Sequence, residues 1–375
     1  MTSEPGSRSE SRLLPTLGGV GSRNKPVPEH VASSAGAPHI LLGGPYWRWI
    51  APIIASTVSG AWTQIRATAP PDDWAEGENR GLEGTAELAP TLTVGLPVFN
   101  GAKFIEASVE SILSQSFSDL ELIISDNAST DDTEPASRSI AGRDSRVTYH
   151  RNASNIGIAA NFNLLVPLAR GRLFKWATAD DLLRPGYLER CVSLLDSDPS
   201  VVLACTRTEF VDEDGTPLDL TDPGWHLVSD DPSERLSEAI QAVHYVNAAL
   251  GVIRTDALRQ THLVPRYAGG DYRMMAELSL LGKFFEIPEP LYVRRVHQGS
   301  TKGNTGNAGW LRSYYGGARP GSRASYWRLC GDRAKVVVQA RIPFARKLDL
   351  LAQLGRTMLT SRARLYRELG ELFRA

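Results

Sequence analysis

The chain has 375 residues, 42% hydrophobic and 22% charged, with a formal net charge of −1. Those values exclude a disordered or membrane-embedded protein and give no sign of a nucleic-acid partner, leaving one large domain with room for appendages. The three cysteines, Cys191, Cys205 and Cys330, show no CxxC spacing and no pairing pattern. That argues against a disulfide scaffold or a structural zinc site and for a reducing, cytoplasmic compartment.

Residues 1–90 have no sustained periodicity and are studded with Gly, Pro, Ser and Glu. MTSEPGSRSESR lacks the basic start and apolar core of a signal peptide. The most membrane-like stretch, residues 40–62, contains Pro45, Arg48 and Pro52. An Arg near a bilayer centre costs roughly 2.5 kcal/mol or more, so a transmembrane span is disfavoured. This region is expected to be a flexible extension.

Order is expected from Thr91. TLTVGLPVF is a β-rich apolar run ending in an NG turn signal. KFIEASVESILSQ has apolar residues on one helical face, and LELIIS is a second buried strand closed by DNASTDDTE. A short helix over about 132–141, the strand RVTYH and the helix IAANFNLLVPLA follow. Next come the strand RLFKWATA, the helix RPGYLERCVSLLDS with Pro185 near its first turn, and the strand VVLACTRTEF. Strands alternating with helices imply right-handed crossovers and a doubly wound, mostly parallel α/β sheet with helices on both faces. Ligands bind such sheets at the carboxyl ends of the strands.

Four polar or acidic clusters stand at those ends: Pro97–Asn100, Ser125–Asn127, Asn152–Gly157 and Thr178–Asp181. None has the GxxxxGK[ST] loop that cradles phosphates. An acidic rim of this kind repels a pyrophosphate unless a divalent cation lies between them, and hard oxygen donors suit Mg²⁺ or Mn²⁺. For an isolated Asp-Asp pair such as Asp180–Asp181, the simpler alternative is a helix N-cap.

Three stretches together resemble the family 2 glycosyltransferases of GT-A fold. They are TVGLPVFNGAKFIEASVESILSQSFSDLELIISDNASTDDT, NASNIGIAANFN and KWATADDLLRPGYLE. The resemblance covers about residues 91–300, which makes that span the expected catalytic domain. It implies that Pro97, Phe99, Asn100 and Asn155 border a nucleotide-sugar, with UDP- or dTDP-sugars expected. It also implies that Asp126 bonds the base and that Asp180 ligates a cation on the diphosphate. Where the family usually has Asp-x-Asp, this chain has Thr178 in the first position, and a hydroxyl bonds a ribose more weakly than a carboxylate. Asp181 either shares the metal or caps the following helix.

RYAGGDYRMMAELSLLGKFFEIPEPLYVRRVHQGS resembles the family's acceptor half, in which Asp271 aligns with the catalytic base. An inverting transfer needs one carboxylate to accept the proton of the incoming hydroxyl. Taken alone, Asp271 after two glycines also reads as a turn or helix N-cap. Glu277 is expected to face solvent or pair with an Arg. His297 is a further candidate for contact with the metal or phosphate, with a structural role as the alternative. Trp176 is most simply core.

The average net charge hides an asymmetry. Residues 301–375 carry 15 Lys+Arg against 4 Asp+Glu, a net +11, whereas the rest of the chain is net negative. Apolar residues at 344, 351, 358, 365 and 372, with 348 and 369 between, read as one stripe of a basic helix. The helix either packs on the catalytic domain or lies on an anionic membrane face, where lipid-linked acceptors are found. The resulting expectation is a metal-dependent, inverting glycosyltransferase acting on a glycan acceptor, lipid-linked or not, in bacterial surface-glycan synthesis. A non-catalytic nucleotide- or glycan-binding relative and a sugar-phosphate nucleotidyltransferase are the alternatives. The nucleotidyltransferase normally opens its first strand into a Gly-rich basic loop, which LPVFNGAKF is not.

Overall fold

The computed structural model describes residues 89–242, 245–297 and 325–373, all within the unit Ser56–Ala375. The expected N-terminal extension, apart from its last two residues, and residues 298–324, which include the start of the basic segment at 301, lie outside the described residues. Strands β1 (Leu92–Val98) and β2 (Leu120–Asp126) are buried along their whole length. Uninterrupted apolar runs are what a strand covered on both faces requires. β1 pairs in parallel with β2 and with β4 (Leu173–Trp176), and β2 pairs in parallel with β3 (Val147–Arg151). The crossovers are α1 (Ile105–Leu113), α2 (Thr133–Arg143) and α3 (Ile158–Leu168). Leu92, Val94, Leu96 and Val98 pack with Ile105, Val109 and Ile112 of α1. Ile123, Phe174 and Trp176 pack with Leu165 and Val166 of α3 in the second core. The sheet is thus covered on both faces, as the alternation of elements predicts.

The second half begins with β5 (Leu182–Leu183), α4 (Tyr187–Ser197), β6 (Val201–Val211) and α5 (Pro232–Gln241). It continues with β7 (Val252–Arg254), α6 (Thr255–Arg259), α7 (Asp271–Leu281) and β8 (Lys283–Arg295). All eight strands form one sheet in the order β3-β2-β1-β4-β7-β6-β8-β5. The pairs β1–β2, β1–β4, β2–β3 and β6–β8 are parallel; β4–β7, β6–β7 and β5–β8 are antiparallel. Regular alternation would set VVLACTRTEF beside the fourth strand, but β7 inserts between them and reverses the direction. Three residues are too few to stand out as an apolar run.

The register decides where the chemistry sits. Val98 lies opposite Asp126, Asp126 opposite Arg151, and Gly95 opposite Trp176. The ends of the first four strands therefore meet on one rim. β8 runs parallel to β6 as far as Arg295, which brings His297 to the same rim.

Three helices close the chain: α8 (Ser325–Gln339), α9 (Phe344–Thr360) and α10 (Arg362–Phe373). α8 packs on α7, and α9 packs on α5 and α8. The single stripe expected over 344–372 is not formed as read. The helix ends at Thr360 with Ser361 as its cap, and its buried residues, Leu350 and Leu354, join the second core. Phe344 is 74% exposed and Leu348 is exposed too. Within α9 the residues 344, 348, 351 and 358 share one face, but the helix end cuts them off from 365, 369 and 372, and the buried pair Leu350 and Leu354 lies on the neighbouring face. Among the described residues, no helix is long and apolar enough to cross a membrane.

Candidate active site

Asp180 and Asp181, adjacent in sequence, have different surroundings. Asp181 is 7% exposed and its carboxylate accepts three hydrogen bonds. Oδ1 accepts the backbone N–H of Arg295 (2.9 Å). Oδ2 accepts the hydroxyl of Thr178 (2.5 Å) and that of Tyr292. Burial and the neighbouring Asp180 charge push the Asp181 carboxyl above the ordinary range, while the two hydroxyls pull it back. Asp180 is more open, and its Oδ2 lies 3.0 Å from Nε2 of His297. Its backbone carbonyl accepts Nε of Arg295 (3.1 Å). Arg295 is further held by the carbonyl of Glu213 (2.7 Å), and its guanidinium lies 4.8 Å from the Phe104 ring centroid. The same ring lies 5.1 Å from the His297 imidazole. Asp181 thus fastens β8 to the turn after β4, and that fastening presents Asp180 and His297 side by side.

Beneath this turn lies a buried cation. Lys175 of β4 is fully buried, bonded to the carbonyl of Leu250 and to the Tyr187 hydroxyl (3.4 Å). Its ammonium lies 4.7 Å from the Tyr187 ring centroid and 5.3 Å from that of Tyr292. Burial pushes its pKa down to about 8, against the pull of Cys191 and Asp181.

At the other edge of the rim, Asp126 is fully buried. Oδ2 accepts Tyr149 OH (2.7 Å) and Arg151 Nη1 (2.5 Å), and Oδ1 accepts the Ser129 N–H (2.8 Å). Asn127 donates to Asn155 (2.9 Å) and accepts from Asn152 (3.2 Å) and from the Ile156 N–H (2.9 Å). Pro97 is buried in β1, whereas Phe99 and Asn100 are exposed beyond its end. Asn100 has a positive φ of 53° and bridges to the next rim cluster: its N–H donates to Ser129 Oγ (2.9 Å) and its Oδ1 accepts from Thr130 N–H (2.8 Å). The hydroxyl of Thr178 is turned inward to Asp181. Trp176 is core, its indole N–H on the carbonyl of Phe162 (2.9 Å).

Asp271 is the first residue of α7, with Gly270 as its cap, so it favours the positive end of the helix dipole without capping it in the usual sense. Gly269 has φ +85°, which a side chain rarely adopts, and a Cβ on Gly270 would stand 2.5 Å from the Pro265 carbonyl oxygen. Both glycines are therefore required by the turn that delivers Asp271. Its Oδ1 accepts the Tyr272 N–H (3.1 Å). Burial raises the carboxyl above its ordinary range, moderated by backbone N–H groups and by Arg294 and Arg333. Glu277 is spent elsewhere, on Arg273 (2.9 Å) and on the His262 ring and N–H.

Arg294 connects the two halves. Its charge acts on both Asp181 and Asp271, and it is seated on Asn247 and over the Tyr245 ring at 5.2 Å. Sequence reasoning missed Arg294, Arg295, Tyr292, Arg151 and Lys175. The Arg-Arg pair two residues before His297 was the available sign, since two cations at the end of a buried strand need a use. Among the described residues no three His, Cys, Asp or Glu side chains converge as a metal cage. Asp180 and His297 are two donors, which fits a cation that takes its remaining ligands from water and a diphosphate.

The glycosyl transferase family 2 model matches residues 93–258. Chondroitin synthase of Pasteurella multocida (strain Pm70) is 29% identical over 217 residues, covering 56% of this chain and 21% of that protein. Chondroitin synthase of Escherichia coli is 29% identical over 222 residues, covering 58% of this chain and 30% of that protein. The chain thus spans less than a third of the length of either relative. The crystal structure of S. aureus TarS 1–349 in complex with UDP-GlcNAc superposes with a TM-score of 0.55 at 16% identity, covering 72% of this chain and 73% of that one. Residues 93–258 thus match glycosyl transferase family 2, and the sheet that carries them has the fold of the GT-A type seen in TarS.

Proposed function

We propose that this protein is an inverting glycosyltransferase that moves a sugar from a nucleotide-diphosphate donor to a hydroxyl of a glycan in bacterial surface-glycan synthesis. The observation that carries the reading is the open Asp180–His297 couple at the strand-end rim, together with a sparsely bonded Asp271 carboxyl at the start of α7. The donor named in the TarS complex is UDP-GlcNAc, and a UDP-sugar is the first donor to test.

In this reading Asp180 and His297 would hold a Mn²⁺ or Mg²⁺ ion. When bound, the cation offsets the charge of the departing diphosphate. Asp181 does not ligate; its three hydrogen bonds keep Asp180 and His297 in place. Asp126 already accepts three donors, so it shapes the base-binding edge through Arg151 and the Ser129 turn. Pro97, Phe99, Asn100 and Asn155 border the nucleotide, and Thr178 supports Asp181 instead of reaching the ribose. Asp271 accepts the proton of the acceptor hydroxyl as its oxygen bonds the anomeric carbon. The bond from that carbon to the diphosphate breaks, and its electron pair leaves with the nucleotide. A raised carboxyl is a stronger base once ionised, which suits this role.

The acceptor side includes a membrane contact. Phe344, Leu348 and Leu359 are exposed and lie within about 60° of one another around α9, at 100° per residue. Arg341, Arg356, Arg362 and Arg367 are exposed nearby in sequence. An anionic leaflet bearing lipid-linked acceptors complements that surface.

The test is Asp271→Asn, assayed with a panel of nucleotide sugars and Mn²⁺. Donor affinity, read by thermal shift, stays within about threefold, while transfer falls by about 10²–10⁴. Near-normal transfer in the variant sinks the assignment of the base, and stabilisation by donor that is equal in EDTA sinks the metal clamp.

A further inference from the structure

Helix α8, beyond the family match, carries a buried arginine that the fold alone does not need. Arg333 is 1% exposed and makes no ion pair among the described residues. Nη2 donates to the carbonyl of Ala242 (2.6 Å), and Nε has no hydrogen-bond partner among the described residues. Burial disfavours its charge. A buried, incompletely bonded cation is costly, and an apolar residue of similar volume usually serves stability as well or better.

Its placement supplies the reason. The guanidinium lies 5.1 Å from the ring centroid of Tyr272, the residue after Asp271. The preceding residue of α8, Asp332, accepts the Tyr267 hydroxyl (2.7 Å), two residues before the glycine pair. Asp332 also lies 3.4 Å from Nη1 of Arg273, two residues after Asp271. Tyr267 joins Tyr326, Leu329, Cys330 and Leu365 in a small core that Tyr272 also touches. Consecutive α8 residues therefore grip the turn on both sides of the Gly269–Gly270 pair.

We infer that Arg333, seated against Tyr272 and seconded by the Asp332–Tyr267 bond, is a positioning residue that holds the turn bearing Asp271 and sets its own cation beside that carboxyl. The inference rests on the reading of Asp271 as the base. Other charged groups lie around Asp271 on the neighbouring elements. Arg273 is committed to Glu277 and Asp332, and Arg235 of α5 holds the Ser279 carbonyl towards the far end of α7. Arg294 of β8 also acts on Asp271, and more strongly than Arg333.

The test needs no substrate. In the full chain labelled with ¹³C at the aspartate side-chain carboxyls, the Asp271 resonance is the one lost in Asp271→Asn. Arg333→Met fills the volume without charge and is expected to fold with an unchanged or raised Tm. Its Asp271 titration midpoint rises by about half a unit or more, and Arg333→Lys moves it back towards the parent. A midpoint unchanged in Arg333→Met, or moved equally by Met and Lys, overturns the inference. If Arg333→Met does not fold, Arg333→Lys and Arg333→Gln carry the comparison, with the higher midpoint expected for Gln. Asp271→Asn tested for transfer decides the base separately, so failure of that reading is not mistaken for failure of this one.

Discussion

Replacing Asp181 by alanine removes one carboxylate and strands three donors: the Thr178 hydroxyl, the Tyr292 hydroxyl and the Arg295 N–H. Each stranded buried donor costs about 1–3 kcal/mol. Part of that is offset, because burial already disfavours the ionised carboxylate, as its raised pKa records. The low end, about 3 kcal/mol in all, is therefore the expected loss. At about 2–3 °C per kcal/mol for a domain of this size, Tm falls by roughly 6–9 °C. Asp180→Ala lacks only the surface contact with His297, so its Tm stays within about 1 °C, in line with ordinary surface substitutions. The ligand responses run the other way round at fixed stability. Asp180→Ala abolishes the extra stabilisation given by Mn²⁺ with a UDP-sugar, and Asp181→Ala loses it only together with the fold of the β8 end. Differential scanning fluorimetry with and without Mn²⁺ and donor reads both effects. Equal Tm losses in the two variants, or an Asp181→Ala protein as stable as the parent, refute the division of labour.

Lys175→Met gives a pH signature. The ammonium is held at about 8 in the folded chain against an ordinary 10.5, so between those values the unfolded chain binds a proton that the folded chain has released. Parent stability therefore rises with pH through that window, and the gap to Lys175→Met changes in the parent's favour; chemical denaturation across it that shows a constant gap refutes the assignment. For the α9 surface, Phe344→Glu combined with Leu348→Glu is expected to weaken cosedimentation with phosphatidylglycerol vesicles at least about tenfold. Phosphatidylcholine vesicles bind the parent poorly in the same assay, and indifference to both the lipid charge and the substitutions rules the membrane contact out.

What the sequence revealed depended on range. The first four strands and their helices were legible because long apolar runs covered on two faces need no partner to identify them. β7 was not, since a three-residue strand draws its identity from the neighbours β4 and β6. The C-terminal stripe misled because a seven-residue spacing survives a helix end that only the backbone at Ser361 reveals. Asp180, Asp271 and His297 are candidates through the family resemblance, and the structure sets Asp180 and His297 side by side. The three hydrogen bonds on Asp181 were not legible, because its partners Tyr292 and Arg295 stand 111 and 114 residues away. The grip of α8 on the Asp271 turn is likewise a long-range fact, with Asp332 65 residues from Tyr267.

Two identical side chains in a row have been given opposite freedoms. A change at position 181 must be answered at once by the end of β8 and by the turn after β4, so that position is bound to the architecture. Position 180 faces outward, and what it touches is a histidine and whatever ligand arrives. On the proposed reading, cation preference would drift by substitution at 180 and 297 while the sheet stays as it is. A pair of letters that reads as one motif is, physically, a fixed hinge pin beside an exchangeable fitting.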